Sequence, residues 1–238
     1  MILGIMQPYL FPYIGYFQLI NAVDKYVIYD DVQYIQKGWI NRNNYLNASV
    51  SGNQNSLQFT FKVKADYRLK KICEREYSTS FETDKENFLK FLYHIYHKAP
   101  YYPETMHVIQ DIFNCKSENV AEFNANSIIK ISESLGINTE FCCSSDMTIP
   151  SDLRFQSRGI WICKCLGADT YINAIGGQKL YSYEDYAKEG LQLHFLKTGD
   201  VRYPQFNHEF TPDLSIIDVM MFNSPENIEK ILNNCSIL

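Results

Sequence analysis

The chain is 238 residues long, 46% hydrophobic and 21% charged, which allows one large domain with a substantial buried core. Its formal net charge of −5 leaves no basic field over the molecule, so nucleic acid is not expected as a partner. No apolar run approaches the roughly 18 residues of a membrane span, and the opening MILGIMQPYLFPYIGYF lacks the basic region and cleavage site of a signal peptide, so membrane insertion is not expected either.

Taken in chain order, Ile2–Met6 is a short apolar run that predicts a buried strand. Gln7-Pro8 breaks it, and residues 16–22 predict a short helix with Phe17 and Ile20 inward. Residues 25–30 (KYVIYD) are a second β-branched and aromatic run. Strand, loop, helix, strand is a βαβ signature, with parallel pairing and ligands beyond the carboxyl ends of the strands. Residues 57–64 (LQFTFKVK) alternate and predict an antiparallel or edge strand after a Gly52-Asn53 turn. From Phe81 to Leu135 the apolar spacing is helical; Pro100 and Pro103 separate two helices and Gly136 stops the last. Strands are expected at 138–143, 170–173 and 191–196. Helices are expected at 155–166, ended by Gly167, at 184–188, capped by Gly190, near 216–221 and at 225–232. These elements predict a single α/β domain over residues 1–238, Rossmann-like, with a mostly parallel sheet and a helical insertion around residues 81–135.

Three segments fall at strand ends. The first runs from Gln7 to Tyr16, where a loop entering a helix offers backbone N–H groups to an anion, or simply makes a tight turn over the core. Its glycines match neither GxGxxG nor a P-loop. Asp30-Asp31 opens the second, which continues through Gln33 to Trp39, Asn41, Arg42 and Asn43. Paired carboxylates after a strand suit a metal ligand or a general base. If the strand continues through Asp31, alternation sends the two side chains to opposite faces, so that one enters the site. Arg42 offers a bidentate fork for phosphate or carboxylate, or else bridges to Asp30 or Asp31 within a loop. The third segment, Asn173 to Tyr181, carries Gly176, Gly177 and Lys179, which allow close backbone approach and charge compensation for a phosphate, or form a plain turn.

Other groups are less specific. The basic run of Lys62, Lys64, Arg68, Lys70 and Lys71 is followed by Glu74 and Glu76 and reads as a solvated rim with room for a local phosphate contact. His94 and His97 share a helix face, and no HExxH or comparable spacing completes a metal site. Seven cysteines without a CxxC suit free thiols in a reducing cytoplasm. Cys142 and Cys143 precede Ser144-Ser145-Asp146, but no base is evident to activate a thiol. The 18 tyrosines and 15 phenylalanines suit a packed core and also a polar pocket that stacks on sugar rings.

The segment IMQPYLFPYIGYFQLINAVDKYVIYDDVQYIQKGWINRN resembles the opening of the WbqC-like family, and HKAPYY, CKCLGADTYINAIGGQKLY and LSIIDVMMFNS extend that resemblance along nearly the whole chain. The family is bacterial, and its genes accompany those for O-antigen and capsule synthesis. The resemblance therefore implies a transferase, with glycyl or other aminoacyl transfer to an amino sugar. It assigns no catalytic residue. Residues 153–159 are more apolar than the hydrophilic stretch the family implies there, which weakens any role for that segment.

Joined to the strand-end residues, the resemblance implies a nucleotide-linked amino sugar as substrate. An acyl thioester on a carrier protein or coenzyme A would be the donor, with no firmly expected cofactor. Asp31 is the expected base, with Asp30 second. Arg42 and Lys179 hold phosphate or carboxylate; Asn41, Asn43 and Asn173 orient the sugar, with Gln7 and Gln33 nearby; Trp39 or Tyr13 stacks on a ring. Two alternatives stay open. One is ATP-dependent nucleotidyl transfer on a similar α/β scaffold, although the His-x-Gly-His of such enzymes is missing. The other is a non-catalytic sugar-nucleotide-binding protein of the same pathway.

Overall fold

A computed structural model describes residues 1–47, 56–206 and 209–238. Strand β1 (Ile2–Met6) leads through a loop into α1 (Ile14–Asn21) and β2 (Lys25–Ile28), and the two strands pair in parallel. This is the expected βαβ unit, with α1 entered two residues earlier than its apolar spacing alone suggests. Four further strands complete the sheet: β5 (Glu140–Cys143), β6 (Thr170–Ala174), β7 (Gln192–Thr198) and β8 (Cys235–Ile237). Their order is β5-β2-β1-β6-β7-β8, parallel throughout except for β8. The chain builds outward from β1 on one side, then returns to its other side, so the direction of winding reverses between β1 and β6. In open α/β sheets that reversal opens a crevice beyond the carboxyl ends of the strands.

Both faces of the sheet are covered, which is why its strands are apolar runs rather than alternating ones. Leu3, Ile5, Val27, Tyr171 and Phe195 pack towards α5 (Gln156–Leu166) and α6 (Tyr183–Lys188). Tyr26, Ile28, Ile172 and Leu196 pack on the other face, with α1. That second core is continuous with α2 (Phe81–Tyr96), α3 (Tyr102–Phe113), α4 (Val120–Ser134) and the tail helices α7 (Ile216–Phe222) and α8 (Pro225–Asn233). Most of the tyrosine and phenylalanine lies here, so the aromatic content is largely core. The helical insertion is thus part of the connection between the neighbouring strands β2 and β5. Gly136 (φ 73°) and Gly167 (φ 71°) follow α4 and α5 in the left-handed conformation that terminates a helix, as their positions in the sequence suggest.

Three local expectations need correction. Residues 42–46 (RNNYL), read as a donor-rich loop, form strand β3 (Arg42–Leu46), antiparallel to β4 (Ser56–Thr60) in a separate two-stranded sheet. The alternating run thought to extend to residue 64 therefore ends at Thr60, and the Gly52-Asn53 turn lies outside the described residues. Helix α5 begins at Gln156, because Phe155 has φ 47°, a backbone no helix accepts.

A buried carboxylate joins α7 to the rest. Asp218 accepts hydrogen bonds from Tyr96 (2.9 Å), Tyr203 (2.7 Å) and Gln205 (2.6 Å), with no side-chain cation in ion-pair contact among the described residues. Burial raises its pKa from 3.8 to about 6, and the three donors limit the rise. The folded state then binds the proton more tightly than the unfolded state does. This contribution to stability is full below pH about 4 and is lost as pH rises through about 6. Relative to Asp218→Asn, the wild type should lose on the order of 3 kcal/mol of unfolding free energy between those limits, read by urea titration. A difference between the two proteins that is flat with pH would disprove it.

Candidate functional site

Parallel pairing brings the ends of β2, β1 and β6 side by side, so Asp30-Asp31, Gln7 and Asn173 share the carboxyl edge of the sheet. A surface cleft of about 820 Å³ lies elsewhere, at the C-terminus of α1 and between α3 and α8, lined by Glu104, Glu226 and Glu229. It lies at the amino-end side of the strands, and although Asn21, Tyr101, Met220 and Asn223 of the family-like segments line it, none of the expected site residues does.

The carboxylates do not diverge as strand alternation predicts. Strand β2 stops at Ile28, which frees Asp30 and Asp31 to turn towards the same hydroxyl. Ser144 Oγ lies 3.0 Å from Asp30 Oδ1 and 2.8 Å from Asp31 Oδ1, and it accepts the backbone N–H of both aspartates at 3.1 and 3.3 Å. Its single proton serves one carboxylate at a time. Asp30 is further held by the backbone N–H of Ser145 (2.9 Å) and the Ser145 hydroxyl (2.7 Å), and it is 3% exposed. Those bonds make Asp30 the clamp between the end of β2 and the short helical turn after β5.

Asp31 has different company. Its Oδ2 lies 2.5 Å from Arg158 Nη2 and 3.9 Å from Lys71 Nζ. Arg158 stands in the first turn of α5, donates from Nε to the Tyr29 hydroxyl at 2.7 Å, and lies over the Tyr29 ring at 5.5 Å. A carboxylate offers about four lone-pair positions, so these contacts leave Asp31 able to accept a further hydrogen bond. Neutralised by Arg158 and still 9% exposed, it is the carboxylate of the pair that opens to solvent most.

The other expected site residues are dispersed. Asn173 sits at the end of β6 with its Oδ1 accepting from the Ala174 N–H (2.7 Å), and a Cβ at Gly177 would come 3.2 Å from its Nδ2. Gly176 has open space around it, and Lys179 is exposed. Gln7 is half-buried at the end of β1, Gln33 donates to the Arg68 carbonyl (3.3 Å), and Trp39 is 45% exposed. Asn43 gives both amide hydrogens to the carbonyls of Leu10 (3.0 Å) and Phe11 (2.8 Å), so its carboxamide shapes the β1 loop. Tyr13 lines a separate cleft of about 250 Å³ with Thr198, Arg202 and Tyr203. Asn41 and Arg42 line another, described below.

Arg158, Ser144 and Phe155 were not foreseen. Arg158 lies inside the apolar segment that family likeness discounted; a lone Arg in the first turn of a helix following a strand was the available signal. Close to it in sequence, Phe155 is 86% exposed on a left-handed backbone, a strain of the kind that clusters at functional sites. The nearby thiols are unsuited to nucleophilic attack. Burial, then the Asp30 charge, pushes Cys73 up to about 11 and Cys143 up to about 12.

The model of the WbqC-like protein family matches residues 7–230. The chain is also similar to "Uncharacterized protein Rv1507c" of Mycobacterium tuberculosis (strain ATCC 25618 / H37Rv), with 23% identity over 234 residues that cover 98% of this chain and 97% of that protein. No solved structure matches. Among the described residues no helix is long and apolar enough to cross a membrane.

Proposed function

The chain belongs to the WbqC-like protein family, and on that premise we propose that it is an acyl- or aminoacyltransferase acting on the amino group of a nucleotide-linked deoxyamino sugar in bacterial surface-polysaccharide synthesis. The observation that carries this reading is the Asp31–Arg158 pair, 2.5 Å apart at the carboxyl edge of a parallel sheet. The sugar ammonium gives a proton to Asp31, and the free amine attacks the carbonyl carbon of an acyl thioester. The C–N bond forms as the carbonyl π electrons move to oxygen, where Arg158 offsets the charge. The C–S bond then breaks as the oxyanion's electrons re-form the carbonyl, the departing thiolate takes the second proton from the former amine nitrogen, Asp31 releases its proton to solvent, and amide and thiol leave.

The test is to incubate the protein with nucleotide-linked sugars, with and without an amino group, plus acyl- and glycyl-thioesters of coenzyme A or a carrier protein. Thermal stabilisation should be selective for the amino sugar, because a ligand bound only by the folded state raises the melting temperature. Mass spectrometry should find the acylated sugar. Equal response to the amino and non-amino sugars, without product, would end this reading.

The strand order supports a second reading. Counting the strands of the six-stranded sheet in chain order gives the arrangement of dinucleotide-binding folds. That favours an ATP-dependent nucleotidyl transfer, which magnesium-dependent pyrophosphate release would detect.

A further inference from the structure

Three residues beyond Asp31 the chain enters a second, chemically different pocket. Tyr34, Lys37, Asn41, Arg42 and Arg75 line a cleft of about 380 Å³, with Lys64 and Asp66 at its side. The charges there are unequally matched. Lys64 is paired with Glu76 (2.7 Å) and Glu118 (3.4 Å), and Asp66 with Lys70 (2.7 Å). Among the described residues neither Lys37, Arg42 nor Arg75 has an acidic partner within ion-pair distance. Three cations thus line one cleft in a chain of net charge −5, and the one carboxylate beside them, Asp66, is held by Lys70.

Arg75 sharpens the point. It is 5% exposed, its guanidinium lies 5.0 Å over the Tyr34 ring, and among the described residues its Nη groups donate only to the carbonyls of Lys64 (2.9 Å) and Tyr67 (3.4 Å). Burying a guanidinium without a carboxylate is costly unless an anion completes the site. The Nε of Arg75, the Nε of Arg42 and the Oδ1 of Asn41 are all buried and without hydrogen-bond partners among the described residues. Two unused guanidinium donors and an unused amide acceptor match an oxyanion that also carries hydroxyl groups.

We propose that this pocket binds the oxyanion of a sugar phosphate, and specifically the diphosphate of a nucleotide-linked sugar. Oxyanion binding stands on the cleft alone; naming the diphosphate rests on the transfer reaction proposed above. The spacing is compatible, since three residues reach at most about 10 Å from Asp31 to Tyr34, a length that a sugar phosphate covers. Binding here would leave the sugar amine near Asp31.

Isothermal titration calorimetry with pyrophosphate, UDP and glucuronate tests the proposal without requiring turnover. The full-length wild type should bind pyrophosphate and UDP. Arg42→Gln should weaken both at least tenfold, and the Lys37→Gln/Arg42→Gln pair further, because charge-assisted bonds to the anion are lost. Both positions are more exposed than Arg75, and unchanged melting curves would show that the variants fold. Arg158→Gln should leave pyrophosphate binding unaltered. Binding of glucuronate but not pyrophosphate would overturn the diphosphate assignment, as the oxyanion would then be a carboxylate. Pyrophosphate affinity unchanged in the double variant, or no anion bound at all, would overturn the pocket itself. If Arg42-dependent pyrophosphate binding is present while no acylated sugar forms, the pocket stands and the transferase reading fails.

Discussion

Asp31→Asn should lower turnover by about 10²- to 10⁴-fold while changing the affinity for the amino-sugar nucleotide little. Asparagine has the size of aspartate and can still accept a hydrogen bond from Arg158, which keeps its bond to the Tyr29 hydroxyl (2.7 Å) and its place over the Tyr29 ring. The variant therefore folds, at a cost of about 1–3 kcal/mol for the weakened buried pair. What asparagine cannot do is take a proton from the sugar ammonium. Steady-state kinetics separate the roles. A fall in kcat with KM held supports proton abstraction, whereas a rise in KM with kcat held would make Asp31 a binding group. Unchanged turnover would refute the base assignment. Arg158→Lys should also lower kcat, because an ammonium cannot hold the Tyr29 hydroxyl and Asp31 in the fixed fork a guanidinium provides.

The contrast between Asp30 and Asp31 shows where sequence reading succeeds and where it stops. Both stand out as carboxylates after a strand, and the strand is plain from its β-branched and aromatic residues. Their different bonding depends on Ser144 and Arg158, which lie more than a hundred residues further along and meet them because β5 pairs with β2 and α5 packs over that end of the sheet. Nothing local encodes such a meeting. The sheet itself was legible for the opposite reason: a strand buried on both faces writes its burial into its own residues, and the glycines after α4 and α5 mark helix ends directly. Strand β3 escaped notice because Arg42, Asn43 and Asn44 are poor strand formers whose polarity suggests a loop. Tertiary bonds override that preference, with Asn43 turned inward onto the Leu10 and Phe11 carbonyls. A donor-rich segment thus looks like a ligand-binding loop although Asn43 holds the β1 loop in shape and Asn41 donates to the Phe61 carbonyl. Arg42 has no such bond among the described residues, and its Nε is buried without a partner there.

Asn124→Ala should be among the most destabilising substitutions in the chain, because one carboxamide on α4 ties three parts of the molecule together. Fully buried, it donates to the Pro8 carbonyl (2.9 Å) and the Ile40 carbonyl (2.6 Å) and accepts from the Tyr77 hydroxyl (2.7 Å). Alanine strands all three groups away from water, at about 1–3 kcal/mol each before relaxation. A net loss of about 3–5 kcal/mol is a large share of the roughly 5–15 kcal/mol typical of a domain, and should lower the melting temperature by about 10 °C. Asn124→Asp is the sharper comparison. It keeps the acceptor for Tyr77 but opposes two carbonyl oxygens with a carboxylate, so at neutral pH it should be no more stable than alanine. Acid should recover part of the loss, as the protonated carboxyl regains one donor. Urea titrations of both variants at two pH values decide the matter; a cost below about 1 kcal/mol for alanine would mean the three groups find other partners. The consequence for function follows from the places Asn124 holds. Pro8 lies at the start of the loop beyond β1, next to Gln7, and Ile40 immediately precedes Asn41 and Arg42 in the cationic pocket. The helical insertion therefore acts as the brace that fixes the pocket against the carboxyl edge of the sheet. Even at temperatures where Asn124→Ala remains folded, pyrophosphate affinity should fall together with stability.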